Sequence, residues 1–125
     1  MELPESALEH RYCLLTTRTR ISDRSHTAEL WFTPASGGVH LMSGSGGLTS
    51  WFLNLQTEEE GVLRIGDHGW QVRASFPGRD DPERREALEA FHARYGRDDR
   101  DDEGRLEGWL RDAVVAHLVL VRELR

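Results

Sequence analysis

Arg18, Arg20 and Arg24 lie within seven residues of one another, and with Arg11 they face a single acid, Asp23, between His10 and Ala28. Guanidinium groups gathered this way can hold a phosphate or carboxylate through charge-assisted hydrogen bonds. A second stretch, Ser43-Gly44-Ser45-Gly46-Gly47, has almost no side-chain bulk, so a ligand can approach its backbone. Directly after it, Leu48, Trp51, Phe52 and Leu55 fall at helical spacing, which predicts a helix over 48–55. Free N–H groups and the positive end of that helix would favour an anion at the turn. The spacing is neither that of a dinucleotide fingerprint nor that of a P-loop. Trp51 can serve either the core or a stacked ring, and Asn54 flanks the same loop. Arginines, a glycine turn, a helix start and aromatic side chains together suit an anionic ligand that carries a ring.

Other chemistries find little support. The six histidines (10, 26, 40, 68, 92 and 117) show no His-x-x-x-His pair, so no metal site is expected, and His117 reads as a hydrogen-bonded core residue. Cys13 is alone, which excludes an internal disulfide. Gly44-Ser-Gly46 lacks the spacing of a nucleophile elbow. The acids from Asp98 to Asp102 lack the glycine and terminal glutamate of a calcium loop and read as a solvated face. No residue stands out as catalytic.

Six strands and several helices must position these groups. Strands are predicted at Tyr12–Thr17, His26–Thr33, Val39–Ser43, Val62–Ile65, Gly69–Phe76 and Val114–Val121. Residues 1–9 form an N-terminal arm, and 80–111 a helical insertion before the last strand. Asp80-Asp-Pro-Glu83 starts one of its helices, with Leu88, Phe91 and Tyr95 on the buried face and Gly96 at the end. The pattern implies a single domain over 1–125, mainly β with helices (α+β): a six-stranded antiparallel barrel or sheet with peripheral helices.

With 125 residues, 38% hydrophobic, and four Trp and four Phe, the chain can build a core. The net charge of −6 argues against general nucleic-acid binding. No apolar run is long enough for a membrane span. The N-terminus lacks a signal-peptide layout, so cytoplasmic residence is expected. All sixteen basic residues are arginine, a bias of composition that weakens any inference from arginine alone.

Four pieces in order resemble the deazaflavin (F420)-dependent nitroreductase-like proteins of the FMN-binding split β-barrel superfamily, across Tyr12 to about Phe76. Leu15-Thr-Thr-Arg-Thr-Arg-Ile-Ser22 is similar to that family's entry motif, and His26–Phe32 to its second strand. Ser43–Gly47 with Trp51-Phe-Leu-Asn-Leu55 resembles its glycine loop and Trp-x-x-Asn-Leu helix. Arg64-Ile-Gly66 falls where those proteins begin the next hairpin. The resemblance implies a six-stranded split barrel that binds F420, or alternatively FMN, and transfers hydride between the cofactor and a small conjugated, nitro or quinone-type substrate. It implies that Arg20 and Ser22 meet the phosphate and acidic tail, that Arg18 and Arg24 join them in binding the cofactor partly through screened charge, and that the Gly44, Ser45, Gly46 and Gly47 backbone supports it. Trp51 and Asn54 would fix the helix and loop, and a homodimer is compatible with the family. Thr19, Ile21, Asp23 and Leu48 depart from the family pattern, as do Glu59 and Gly61. A non-catalytic split-barrel binding protein, carrying FMN, another ligand or none, is therefore the alternative.

Overall fold

The computed structural model describes residues 1–19, 24–44, 46–96 and 102–124. A short 3-10 helix, Glu5–Glu9, leads into strands β1 (Cys13–Arg18), β2 (Ser25–Leu30), β3 (Thr33–Ala35) and β4 (Gly38–Ser43). Helix α1 (Ser50–Thr57) follows, then β5 (Glu60–Ile65) and β6 (His68–Ser75). Helices α2 (Pro82–Tyr95) and α3 (Asp102–Asp112) precede the last strand, β7 (Val114–Leu124). Among the described residues the strands form one antiparallel sheet in the order β2-β1-β5-β6-β7-β4-β3.

Seven strands appear where six are expected, because the predicted strand His26–Thr33 is interrupted at Trp31 and Phe32. Its first half, β2, pairs with β1, and its second half, β3, pairs with β4. These are the two outer edges of the sheet. Laid flat, they would stand roughly 29 Å apart, six spacings of about 4.8 Å. The three steps of chain from Leu30 to Thr33 reach no more than about 11 Å. The sheet must therefore curl until its edges meet, and the interrupted strand is the seam.

Inward-facing side chains fill the curl. Leu15, Leu41, Leu63, Val72 and Leu118 are fully buried in one cluster, which Trp51, Phe52 and Leu55 of α1 close. Helix α1 thus plugs the barrel. Helices α2 and α3 cover part of the outer face, where Leu88, Ala113 and Val115 make a second apolar cluster with Met42, Trp109 and Leu110. The helix start predicted at 80–83 is present: Asp81 caps α2 by accepting the Glu83 N–H at 2.9 Å, and Pro82 takes the first position.

Arg84, 6% exposed, ties the two helices together. Its guanidinium donates to the carbonyl oxygens of Ala113 and Leu110, each at 2.8 Å, and to that of Trp109 at 3.3 Å. A cation thereby answers carbonyls at the C-terminal end of α3, of which that of Trp109 also accepts the Ala113 N–H at 2.8 Å. Burial lowers its pKa from the usual arginine value.

Candidate functional site

The outer face of β1, β5, β6 and β7 is left uncovered by the helices at one end. A row of register partners crosses it: Thr16 with Val62, Val62 with Gln71, and Gln71 with Arg122. These four residues line an open groove of about 440 Å³, with Arg18 and Arg24 also at its wall. Arg122 reaches it because of a β-bulge. Leu120 pairs with Val72 and Arg122 with Gln71, so Val121 is the extra residue. In an unbroken register Arg122 would sit opposite the core residue Trp70; the bulge re-aims it onto the face that carries Gln71.

Charges around the groove are partly paired. Arg18 lies 3.7 Å from Glu58, and both side chains are well exposed, so the pair holds Arg18 weakly. Arg73 takes Glu60 at 3.0 Å. The Thr19 N–H donates to the Arg24 carbonyl at 2.8 Å, drawing the two ends of the β1–β2 hairpin together. Thr16 and Thr27 share a hydroxyl–hydroxyl hydrogen bond of 2.8 Å beside the groove. The site therefore offers guanidinium and hydroxyl donors, one amide and the apolar strip of Val62, with the carboxylates of Glu58 and Glu60 also at its wall.

The expected site residues fall into two groups. Arg18 and Arg24 line the groove, at the end of α1 marked by Glu58. The glycine turn precedes the other end of that helix, which is about 12 Å long. Gly44 lines a separate hollow with Tyr12, Trp31 and Met42. Arg20, Ser22 and Ser45 lie outside the described residues, as do Ile21, Asp23 and the acids Asp98, Asp99 and Asp101.

Within the turn, the protein's own groups occupy the space the glycines leave. A side chain at Gly44 would meet the Trp109 ring, and one at Gly47 would press on Phe52. Gly46 holds a φ of 91°, a conformation that L side chains rarely adopt. Ser43 Oγ donates to the Gly46 carbonyl oxygen. Trp51 is a core residue, packed edge-on against Phe52 at 5.6 Å, and 4% exposed. Asn54 is 1% exposed and donates to Thr17 Oγ1 at 3.1 Å, joining α1 to β1. Both side chains fix the helix.

Sequence reasoning missed Thr16, Gln71 and Arg122. The signal for the first two is the alternation of their strands, but the bulge that brings in Arg122 leaves no mark in a continuous β-branched run. It also kept apart three residues that the fold brings together: His40 on β4, Glu83 on α2 and His117 on β7. Burial lowers the His40 pKa, partly opposed by its hydrogen bond to Glu83.

No family model matches the sequence, and no curated protein matches it. Solved structures do resemble the fold. The heme storage protein HutZ from Vibrio cholerae aligns with a TM-score of 0.75 at 15% identity, covering 98% of this chain and 92% of that one. A protein from Listeria innocua, provisionally named a pyridoxamine 5′-phosphate oxidase, aligns at 0.70 with 14% identity, covering 94% and 90%. An FAD-binding protein from Mesorhizobium loti aligns at 0.65 with 8% identity, covering 94% and 85%. At these identities the likeness concerns architecture, and the architecture is a curled antiparallel sheet of the split-barrel type.

Proposed function

We propose that this chain binds a flavin nucleotide, FMN in the first instance, in the outer-face groove and acts as a small oxidoreductase. The observation that carries the reading is the cross-strand row Thr16–Val62–Gln71–Arg122 flanked by Arg18 and Arg24. One neighbour of the same architecture is named as FAD-binding, and another, provisionally, as an oxidase, which supports the reading. A volume of about 440 Å³ falls within the ordinary range for small-molecule sites. A bound flavin would supply the hydride and electron transfer. The three arginines would bind its phosphate, with Arg18 released from Glu58 at little cost. Gln71 and Thr16 would orient polar edges, and Val62 would meet an apolar one. Exposed Leu14, Val119 and Val121 give the outer face apolar surface for a second copy, so a homodimer that excludes water from the groove belongs to the proposal.

F420 shares the ring shape and the phosphate, so it enters the same test. Purified protein is titrated separately with FMN, FAD, F420 and heme, followed by flavin fluorescence or heme absorbance. FMN binding is expected, weakened about ten- to a hundredfold in Arg122→Ala. Affinity should fall as salt rises. Binding of heme alone would overturn the flavin reading, and binding of F420 alone would replace FMN with the deazaflavin. If FMN binds but is never reduced or reoxidised by nicotinamide donors and nitro or quinone acceptors, the chain is a binding protein.

A further inference from the structure

Outside the groove, three side chains from three elements converge beneath the first turn of α2. His40 of β4 and His117 of β7 are cross-strand partners with ring centroids 4.8 Å apart. Glu83, on α2, places Oε1 2.9 Å from His117 Nδ1 and 3.2 Å from His40 Nε2. All three ligating atoms lie within 4.8 Å of one another.

The hydrogen-bond geometry of His117 shows what such a cluster needs. Its Nε2 lies 2.8 Å from the Ser36 carbonyl oxygen, which can only accept, so Nε2 carries the proton. In the neutral ring Nδ1 then presents a lone pair to a carboxylate oxygen 2.9 Å away. Two acceptors facing each other at that distance call for a positive charge between them. A proton is one choice and a metal cation is the other.

Further features favour the cation. A tetrahedral zinc ion with ligands near 2.0–2.1 Å holds its ligand atoms about 3.3 Å apart, close to the 2.9 and 3.2 Å from Glu83 Oε1 to the two imidazoles. The two ring nitrogens lie within 4.8 Å of one another and would draw together around the ion. The Ser36 carbonyl fixes the His117 ring from behind, the usual support of a metal-bound imidazole. The two imidazoles are 12% and 15% exposed while Glu83 is 35% exposed, so the carboxylate side gives an entry path. We infer that His40, Glu83 and His117 form a three-ligand site for a divalent transition-metal ion, zinc above all, with its fourth position open to solvent. Such an ion would pin the start of α2 to the sheet. The inference does not depend on the flavin reading.

The test uses the full chain, freed of metal with a chelator and titrated with cobalt(II), then with zinc. One equivalent of cobalt should give the visible absorption of a tetrahedral site, and zinc should displace it. His40→Ala, His117→Gln and Glu83→Gln should each weaken binding on the order of a hundredfold. His26→Ala should leave it unchanged. Circular dichroism checks that each variant is folded. Should a variant fail to fold, nitrogen chemical shifts of the wild-type imidazoles decide. Zinc-dependent shifts at His40 Nε2 and His117 Nδ1 support the site, and their absence overturns it. Binding equally tight in all variants, or no zinc binding by wild type, also overturns it and leaves the three side chains as a hydrogen-bonded cluster.

Discussion

The Tyr95 hydroxyl accepts a hydrogen bond from the Phe32 N–H at 3.2 Å and lies 2.8 Å from the carbonyl oxygen of the same residue. One side chain at the end of α2 thus satisfies both backbone groups of Phe32 where the second strand breaks. The same hydroxyl is 2.8 Å from the Arg11 carbonyl, and its single proton serves the two oxygens. Trp31 stacks on the Tyr95 ring at 4.5 Å, and the Arg94 guanidinium lies over Phe32 at 4.4 Å. The end of α2 is a clasp over the seam of the barrel.

Tyr95→Phe keeps the stacking but strips the Phe32 backbone of its partner. The variant should lose about 1–3 kcal/mol of stability in urea unfolding. An unchanged midpoint would show that the seam is held by ring contacts alone.

Arg84→Met keeps an unbranched apolar stem, shorter by the guanidinium, and removes the cation from the end of α3. With the Ala113 and Leu110 carbonyls deprived of the guanidinium, stability should fall by about 2–4 kcal/mol. Amide hydrogen exchange should quicken first in α3, the element the guanidinium holds.

Asn54→Ala should cost about 1–3 kcal/mol through the unpaired Thr17 hydroxyl. If Asn54 has a structural role, cofactor affinity measured on the folded variant stays within about twofold of wild type, less than 0.5 kcal/mol. A larger loss of affinity at intact stability would bring Asn54 into the binding site.

Burial pushes the Cys13 thiol up to about 12, from 9.0. The folded thiol should resist alkylation by iodoacetamide and react only on unfolding. The neutral thiol is the form the fold favours. Its contribution to stability is therefore complete below pH 9 and declines as pH rises towards 12. Cys13→Ala should flatten that alkaline decline relative to wild type.

Much of the fold was legible in the sequence because its signals are local. The adjacent strands predicted at Val62–Ile65 and Gly69–Phe76, the Asp81-Pro82 helix start and the Leu88–Phe91–Tyr95 face each depend on residues within one hairpin or one helix. The strand break was not legible, since Trp31 and Phe32 are good strand residues and what stops the ladder is a tyrosine more than sixty positions away. The candidate site was half legible. Arg18 and Arg24 are close in sequence, but the glycine turn belongs to the opposite end of α1, which no linear pattern states. Arg122 depended on a bulge. The grouping of His40, Glu83 and His117 depended on register and on the docking of α2.

Strand β7 has β6 on one side and β4 on the other. Apart from the seam at Trp31 and Phe32, it joins two otherwise separate sets of strands: β2-β1-β5-β6 and β4-β3. A chain leaving the ribosome in order therefore makes both sets before it makes the piece between them. The hairpins can form early, yet the barrel cannot close until the final eleven residues of strand are free. Until then β4 and β6 each expose an edge that another chain can pair with. Pulsed hydrogen exchange during refolding should find β4 and β6 gaining full protection together with β7. Strand β7, made after every other strand of the sheet, is the one that turns two open sheets into a barrel.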